Sequence, residues 1–266
     1  MKMALADRQI EINPHISKIN QEEWFKHWFD SSFYHKLYAN RDEREAAGFV
    51  DALTEELGPA NQSKMLDLGW GNGRHSKRLS LKGYSVTGLD LSSASILDAK
   101  KYESSNLNFF RHDMRLPFGN NYFDYVFSFF TSFGYFKSNL EDEQVLSNIS
   151  RSLKPGGMLV MDYLNVAYAE KRLVPDEQNE IDGIVYKIKR WTDEKHFYKS
   201  IVLANTGSRY PVEFNEQVRK FRVEDFNQMF ANNNLQLQRV YGDYQLGTYD
   251  KETSPRLILF AQKISK

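Results

Sequence analysis

Apolar and polar positions alternate along the middle of the chain with two different periods. Short apolar runs predict strands at residues 65–69, 85–90, 107–111, 125–129 and 158–163. Longer stretches with a helical period predict helices at residues 42–57, 74–82, 92–103 and 139–153. This strand–helix alternation favours a mostly parallel sheet with helices on both of its faces.

The pattern changes after Asn165, where alternating segments follow one another without a long helix between them. These segments, at residues 183–192, 195–204 and 210–221, are predicted to be antiparallel strands. A helix at residues 223–232 and strands near residues 235–241 and 256–263 then return to the first pattern.

The predicted organisation is one α/β core with two additions. Residues 42–164 and 222–266 form the core, residues 165–221 form a β insertion, and residues 1–41 form an N-terminal cap segment. The cap segment is strongly aromatic between Trp24 and Tyr38, so its side chains need a surface to cover.

Composition narrows the functional classes. Lys and Arg total 35, as do Asp and Glu, and this balance makes nucleic acid an unfavoured partner. The chain has no cysteine, which excludes disulfides and suits a reducing compartment.

The six histidines show no metal-ligand spacing, so no metal is predicted. No apolar stretch is long enough for a membrane span, and charge near the start of the chain argues against a signal peptide; a cytoplasmic protein is expected.

Three glycines at alternate positions follow the first predicted strand, in the segment Asp67-Leu68-Gly69-Trp70-Gly71-Asn72-Gly73. Glycine allows a positive φ and a close approach of backbone to ligand at such a turn. A dinucleotide fingerprint counted from Gly69 would need glycine at position 74, where the chain has Arg74. The spacing therefore disfavours a nicotinamide-dependent oxidoreductase, which remains one alternative.

This segment resembles motif I of the class I S-adenosylmethionine-dependent methyltransferases, although Trp70 stands where that family usually has Cys or a small residue. The resemblance continues through most of residues 40–163 and 222–263. It implies a Rossmann-like, doubly wound, seven-stranded and mostly parallel sheet with its last strand antiparallel. It also implies S-adenosylmethionine as the cofactor.

The resemblance also assigns cofactor contacts. The carboxylate of Asp90, at the end of the second predicted strand, would accept hydrogen bonds from the ribose hydroxyls. Asp113 would accept from the adenine amino group, and the next backbone N–H, that of Met114, would donate to the ring. An aromatic face suits a sulfonium cation. The predicted cofactor-binding residues are Asp67, Gly69, Gly71, Gly73, Asp90, Leu91, Asp113, Met114 and Phe129.

The acceptor side resembles the small-molecule or uncharacterised branch of the family, because residues 131–135 lack the N/D-P-P-Y/F signature of amino-methylating DNA and protein enzymes. The cap segment and the insertion are expected to close over the cofactor as a lid. The predicted substrate-binding residues are Tyr34, Tyr38, Arg41, Ser132 and Tyr135, with Arg41 meeting an acidic group. No catalytic residue is assigned, since orientation alone can drive displacement from a sulfonium.

The predicted function is in-line methyl transfer from S-adenosylmethionine to a small molecule. A non-catalytic protein that binds S-adenosylmethionine or another nucleotide is the second alternative. The basic residues between Lys187 and Lys199 are interpreted as a solvated face of the insertion, and an RNA contact is the less favoured interpretation. The sequence predicts neither the acceptor atom nor the oligomeric state.

Overall fold

The computed structural model describes residues 23–39, 43–71 and 73–264. Arg41, a predicted substrate contact, lies outside the described residues, as does most of the N-terminal cap segment.

Within the described residues, seven strands form the larger sheet, in the order β10-β11-β5-β4-β1-β2-β3. The strands of this sheet are β1 (Lys64–Leu68), β2 (Ser85–Asp90), β3 (Leu107–Arg111), β4 (Phe123–Ser128), β5 (Leu153–Leu164), β10 (Leu235–Tyr241) and β11 (Arg256–Lys263). Strand β11 runs antiparallel to both of its neighbours, β5 and β10, and the other neighbouring pairs in this sheet are parallel. The predicted Rossmann-like sheet is confirmed, including its antiparallel last strand.

The helices that cover this sheet follow the predicted apolar stripes closely. They are α3 (Glu43–Leu57), α4 (Arg74–Leu81), α5 (Ser93–Lys100), α6 (Asn139–Ser152) and α8 (Val223–Asn232). At the start of α6, the backbone N–H of Glu141 donates to Ser138 Oγ (3.3 Å), and the backbone N–H of Ser138 donates to Glu141 Oε2 (3.2 Å). This capping box satisfies two N–H groups that a helix start otherwise leaves unpaired.

A second sheet lies in the insertion and is a four-stranded antiparallel meander. Its strands are β6 (Asp176–Ile181), β7 (Ile184–Thr192), β8 (His196–Ala204) and β9 (Val212–Arg219). The sequence pattern predicted the last three of these strands but neither β6 nor the short helix α7 (Val166–Lys171). Strand β6 reads Asp-Glu-Gln-Asn-Glu-Ile, so no apolar alternation marks it, and it can remain polar because it is an edge strand.

Two short helices, α1 (Trp24–Trp28) and α2 (Ser32–Leu37), precede the core. Trp28 is fully buried against the insertion, with its ring 4.6 Å from that of Phe214. Tyr186 in β7 donates its hydroxyl to the Phe33 carbonyl (3.2 Å). The aromatic side chains of this segment therefore cover one face of the second sheet.

Trp70, the unusual residue of the glycine-rich turn, is only 4% exposed and packs into the core beneath β2 and β3. Its ring centroid lies 4.4 Å from that of Phe109. The two rings cover Gly88 of β2, where an added Cβ would lie 2.5 Å from Phe109 Cδ1 and 3.0 Å from Trp70 Cδ1. The Trp70 indole fits beside β2 because Gly88 has no side chain.

We expect Gly88→Ala to lower the free energy of unfolding by about 1–3 kcal/mol, because the methyl group overpacks this layer. Urea denaturation measures the change. Gly48→Ala is the matched control: Gly48 is exposed within α3, and an added Cβ there meets no atom within 4 Å. That control should raise stability by about 0.5–1 kcal/mol through helix propensity. Unchanged stability in Gly88→Ala would contradict the packing described for Trp70.

Candidate active site

The carboxyl ends of β1, β2 and β4 open into a cavity of about 590 Å³, which α1, α2 and the second sheet cover. The predicted cofactor residues that line it are Gly69, Gly71, Asp90, Leu91, Asp113, Met114 and Phe129. The predicted substrate residues that line it are Tyr34, Tyr38, Ser132 and Tyr135. Asp67 and Gly73 are not among the lining residues: Asp67 lies in β1 and Gly73 is the N-cap residue of α4.

The turn after β1 brings backbone to the cavity. Gly69 and Gly71 both have positive φ, at 67° and 57°, a region that favours glycine. The Gly69 N–H donates to the Leu89 carbonyl of β2 (2.8 Å), and a Cβ at Gly69 would lie 2.7 Å from Ser132 Cβ. The backbone conformation and the neighbouring loop therefore both require glycine at position 69.

Asp67 lies in β1 just before this turn and is fully buried. Its Oδ2 accepts a hydrogen bond from Ser76 Oγ in α4 (2.6 Å), while no described residue donates to Oδ1. Burial raises the pKa of Asp67 to about 7, with a smaller contribution from the charge of Asp90. The hydrogen bond between Asp67 and Ser76 therefore joins β1 to α4.

Asp90 ends β2 and faces the cavity from the opposite side of the turn. Its two carboxylate oxygens accept from the backbone N–H groups of Ser92 (2.8 Å) and Gly71 (3.1 Å). Burial raises the pKa of this carboxyl, and the backbone hydrogen bonds oppose that rise. Asp90 is thereby held in one orientation at the carboxyl end of β2.

Asp30, which the sequence analysis did not identify, reaches the same place from the N-terminal segment. Its Oδ1 accepts from Ser92 Oγ (2.9 Å) and from the Ala94 N–H (2.9 Å) at the start of α5. A carboxylate is favourable at a helix N-terminus, where backbone N–H groups lack partners. The contact joins the cap to the strand end that carries Asp90.

Arg115 is a second residue that the sequence analysis missed. Its guanidinium donates to Asp113 Oδ2 (2.7 Å), Glu23 Oε1 (2.8 Å) and Glu141 Oε1 (2.8 Å). Burial opposes ionisation of Asp113, but the hydrogen bonds and charge of Arg115 hold the pKa of that carboxyl below its usual value. One cation thus connects the loop after β3, the start of α6 and the N-terminal segment.

The loop after β4 adopts an uncommon backbone conformation. Phe130 and Thr131 have φ values of 53° and 62°, which is unfavourable for residues that carry a Cβ. The Phe130 N–H donates to Asp162 Oδ2 (2.8 Å), and the Thr131 N–H donates to the Asp162 carbonyl (2.9 Å). Asp162 is fully buried and accepts from Arg256 Nε (2.6 Å). Such strain persists only where surrounding contacts fix it, as they do here.

The same loop meets both the turn and the cap. Ser132 Oγ lies within hydrogen-bond distance of the Phe129 carbonyl (2.8 Å) and the Gly69 carbonyl (3.1 Å). The Tyr135 ring contacts Trp24 and Phe29 of the cap at centroid distances of 5.4 and 5.5 Å.

An aromatic wall continues from Tyr135 across the cap. The Phe29 and Tyr34 rings lie 5.0 Å apart, and the Tyr34 and Tyr38 rings lie 4.9 Å apart. Because Gly69 and Ser132 line the same cavity as this wall, Tyr34 and Tyr38 lie above the ends of β1 and β4.

Residues 65–157 match the sequence family described as a methyltransferase domain. These residues are therefore similar to a methyltransferase domain. The matched segment contains the glycine-rich turn, Asp90, Asp113 and the loop after β4, and the predicted resemblance to methyltransferases is confirmed.

Similarity to named methyltransferases extends over nearly the whole chain. The chain is 28% identical over 242 residues to the Bacillus subtilis protein named "Putative methyltransferase YqeM", covering 88% of this chain and 95% of that protein. Two solved structures share the fold: an S-adenosylmethionine-dependent methyltransferase from Clostridium acetobutylicum, with a TM-score of 0.71 and 18% identity, and the CcbJ methyltransferase from Streptomyces caelestis, with 0.71 and 19%. They align with 91% and 90% of this chain and with 98% of each of those chains.

Two further features of the chain bear on the sequence analysis. Across residues 23–39, 43–71 and 73–264, no cluster of three or more His, Asp or Glu side chains could hold a metal ion. No helix in that part of the chain is long and apolar enough to span a membrane.

The raised pKa of Asp67 predicts a measurable pH dependence of stability. A carboxyl whose folded-state pKa is raised from 3.8 to about 7 stabilises the fold most fully at low pH. That contribution is lost as the pH rises through the folded-state value. Relative to Asp67→Asn, which cannot ionise, the wild-type protein should lose about 2–3 kcal/mol of unfolding free energy between pH 5 and pH 8.

Urea denaturation of both proteins without ligand at the two pH values measures this difference. Titrating groups that do not interact with Asp67 are common to both proteins and cancel in the comparison. Parallel pH dependences for the wild type and Asp67→Asn would show that Asp67 is ionised across the whole range.

Proposed function

We propose that this protein transfers a methyl group from S-adenosylmethionine to a small-molecule acceptor. The observation that carries the proposal is the meeting of three features in one covered cavity: the glycine-rich turn, the Asp90 carboxylate and the aromatic wall of the cap. The matched methyltransferase family supports the reaction class. The cavity volume of about 590 Å³ is in the range of small-molecule sites and supports the class of acceptor.

The residues present fit this cofactor. An added Cβ at Gly71 would meet no heavy atom within 4 Å, so backbone there can approach a ligand without obstruction by side chains. Asp90 offers carboxylate oxygens that suit adjacent ribose hydroxyls, and Leu91 follows it in the cavity wall. We assign the adenine to Asp113 and the Met114 N–H, and the sulfonium end to the region of Gly69 and Phe129.

Asp67 and Gly73 have indirect roles in this proposal. Asp67 holds α4 through Ser76, and Gly73, with a φ of 70°, lets α4 begin directly after the turn. Residues 42–164 and 222–266 would then form the cofactor-binding unit, while residues 23–39 of the cap segment and the insertion 165–221 would cover the acceptor.

When bound, S-adenosylmethionine supplies a methyl group that is already strongly electrophilic. The protein's own contribution is to orient the acceptor and to keep water out. The polar groups of the loop after β4 are largely engaged in holding its shape: the Tyr135 hydroxyl donates to the Thr131 carbonyl, and the Ser132 hydroxyl bonds to backbone carbonyls. Substrate contact through Tyr34, Tyr38, Ser132 and Tyr135 would therefore position the acceptor.

A calorimetric titration with S-adenosylhomocysteine, the product form of the cofactor, tests the proposal. We expect the wild-type protein to bind it and to show no binding of NAD. Asp90→Ala should weaken the affinity by about 10- to 150-fold, because a hydrogen bond to a charged group contributes about 1.5–3 kcal/mol.

Asp98→Ala is the matched control, since Asp98 lies in the adjacent helix α5 with its side chain 73% exposed and only a 4.0 Å contact to Lys101. It should leave the affinity unchanged. Binding of NAD without S-adenosylhomocysteine would favour an oxidoreductase. Unchanged affinity in a folded Asp90→Ala protein would remove Asp90 from the cofactor site.

A further inference from the structure

The cavity-facing side of the second sheet carries a row of charged residues beside buried apolar ones. Arg190, Lys199 and Glu216 stand directly opposite one another across β7, β8 and β9. On the same face Ile201 and Leu203 are buried. Because charges in such a place are costly to desolvate, they need paired partners or a functional reason.

Each charge in the row has a partner of opposite sign. Arg190 donates to Glu177 (2.5 Å), and Lys199 donates to Glu216 (3.1 Å) and also to the Tyr38 hydroxyl. The charge of Glu216 keeps the pKa of Lys199 above its usual value, although burial acts in the opposite direction. Lys199 is thus a buried cation behind Tyr38 and Glu216.

Glu216 differs from the other members of the row because one of its oxygens remains available. Its Oε1 accepts from Trp28 Nε1 (2.6 Å) and from Lys199 Nζ (3.1 Å). Among the described residues no donor reaches Oε2, and the Glu216 side chain, which is 18% exposed, lines the cavity. Two donors therefore fix the carboxylate while leaving an acceptor atom for a ligand.

The surroundings of Glu216 favour a cationic donor on that ligand. Tyr34 lies with its ring 5.4 Å from that of Trp28 and 4.9 Å from that of Tyr38. Aromatic faces attract cations, and a carboxylate is the strongest hydrogen-bond acceptor that a side chain provides. A hydroxyl would gain only the hydrogen bond, and a carboxylate would have no proton to donate to Glu216 Oε2.

We propose that the methyl acceptor bears a primary or secondary amine that donates a hydrogen bond to Glu216 Oε2, with Lys199 as a positioning residue behind it. The proposal rests on the methyltransferase function proposed above and adds the chemical class of its acceptor. It concerns recognition of the acceptor, so it is tested by binding as well as by turnover.

The probes are 2-phenylethylamine, 2-phenylethanol and phenylacetate, titrated into protein that has first been saturated with S-adenosylhomocysteine. We expect the amine to bind at least about 10-fold more tightly than the alcohol, and phenylacetate to bind more weakly still. The ranking on the wild-type protein tests the inference without any variant.

Glu216→Gln keeps an oxygen for Trp28 and Lys199 but presents an amide N–H₂ in place of the open carboxylate oxygen. It should lower the affinity for the amine by about 10- to 150-fold and leave the affinities for 2-phenylethanol and S-adenosylhomocysteine unchanged. Glu213→Gln is the matched control on the opposite face of β9, where Glu213 accepts from Ser200 (3.2 Å). It should change none of the three affinities.

Equal binding of the amine and the alcohol, no binding of the amine, or full amine affinity in Glu216→Gln would overturn the inference. S-adenosylhomocysteine is titrated first, so its failure to bind would reject the proposed methyltransferase function as well. Its binding followed by no preference for the amine would reject only the amine proposal.

Discussion

The covered cavity depends above all on the burial of Trp28 between the cap and the second sheet. The indole is fully buried, lies with its ring centroid 4.6 Å from that of Phe214 at an interplanar angle of 37°, and donates to Glu216. Burying a large aromatic side chain is among the most favourable single contributions to a fold. Trp24, at the other end of the same helix, contacts Tyr135 beside the strand ends. Helix α1 therefore contacts the second sheet through Trp28 and the loop after β4 through Trp24.

Two partly buried arginines hold the loops that surround the cofactor half of the cavity. Arg256 pairs with Asp162 and thereby supports the strained residues after β4, while Arg115 joins Asp113 to Glu23 and Glu141. A guanidinium with several donors in fixed directions suits this task, because it can contact several loops at once. Since Glu23 belongs to the cap segment, the loop that would hold the adenine and the cover of the acceptor site are connected by one cation.

The order of elements was predictable from the sequence because buried strands and amphipathic helices impose their periods on the chain. Glycines and aspartates at the ends of the predicted strands also indicated where the cavity lies. Strand β6 was missed because an exposed edge strand needs no apolar alternation. The Trp70 side chain packs inward because of its contacts with Gly88 and Phe109, which are distant in sequence. Asp30, Arg115 and Glu216 likewise form hydrogen bonds with residues that are far away along the chain. No local pattern encodes such tertiary pairings.

A crystal structure of the protein with S-adenosylhomocysteine tests the central claim most directly. The account predicts the ribose hydroxyls within hydrogen-bond distance of Asp90, the adenine beside Asp113 and Met114, and the sulfur facing the aromatic wall. The side chains of Tyr34 and Tyr38 should still cover that end of the ligand. A ligand bound away from Asp90, or a cap lying apart from the ends of β1 and β4, would contradict it.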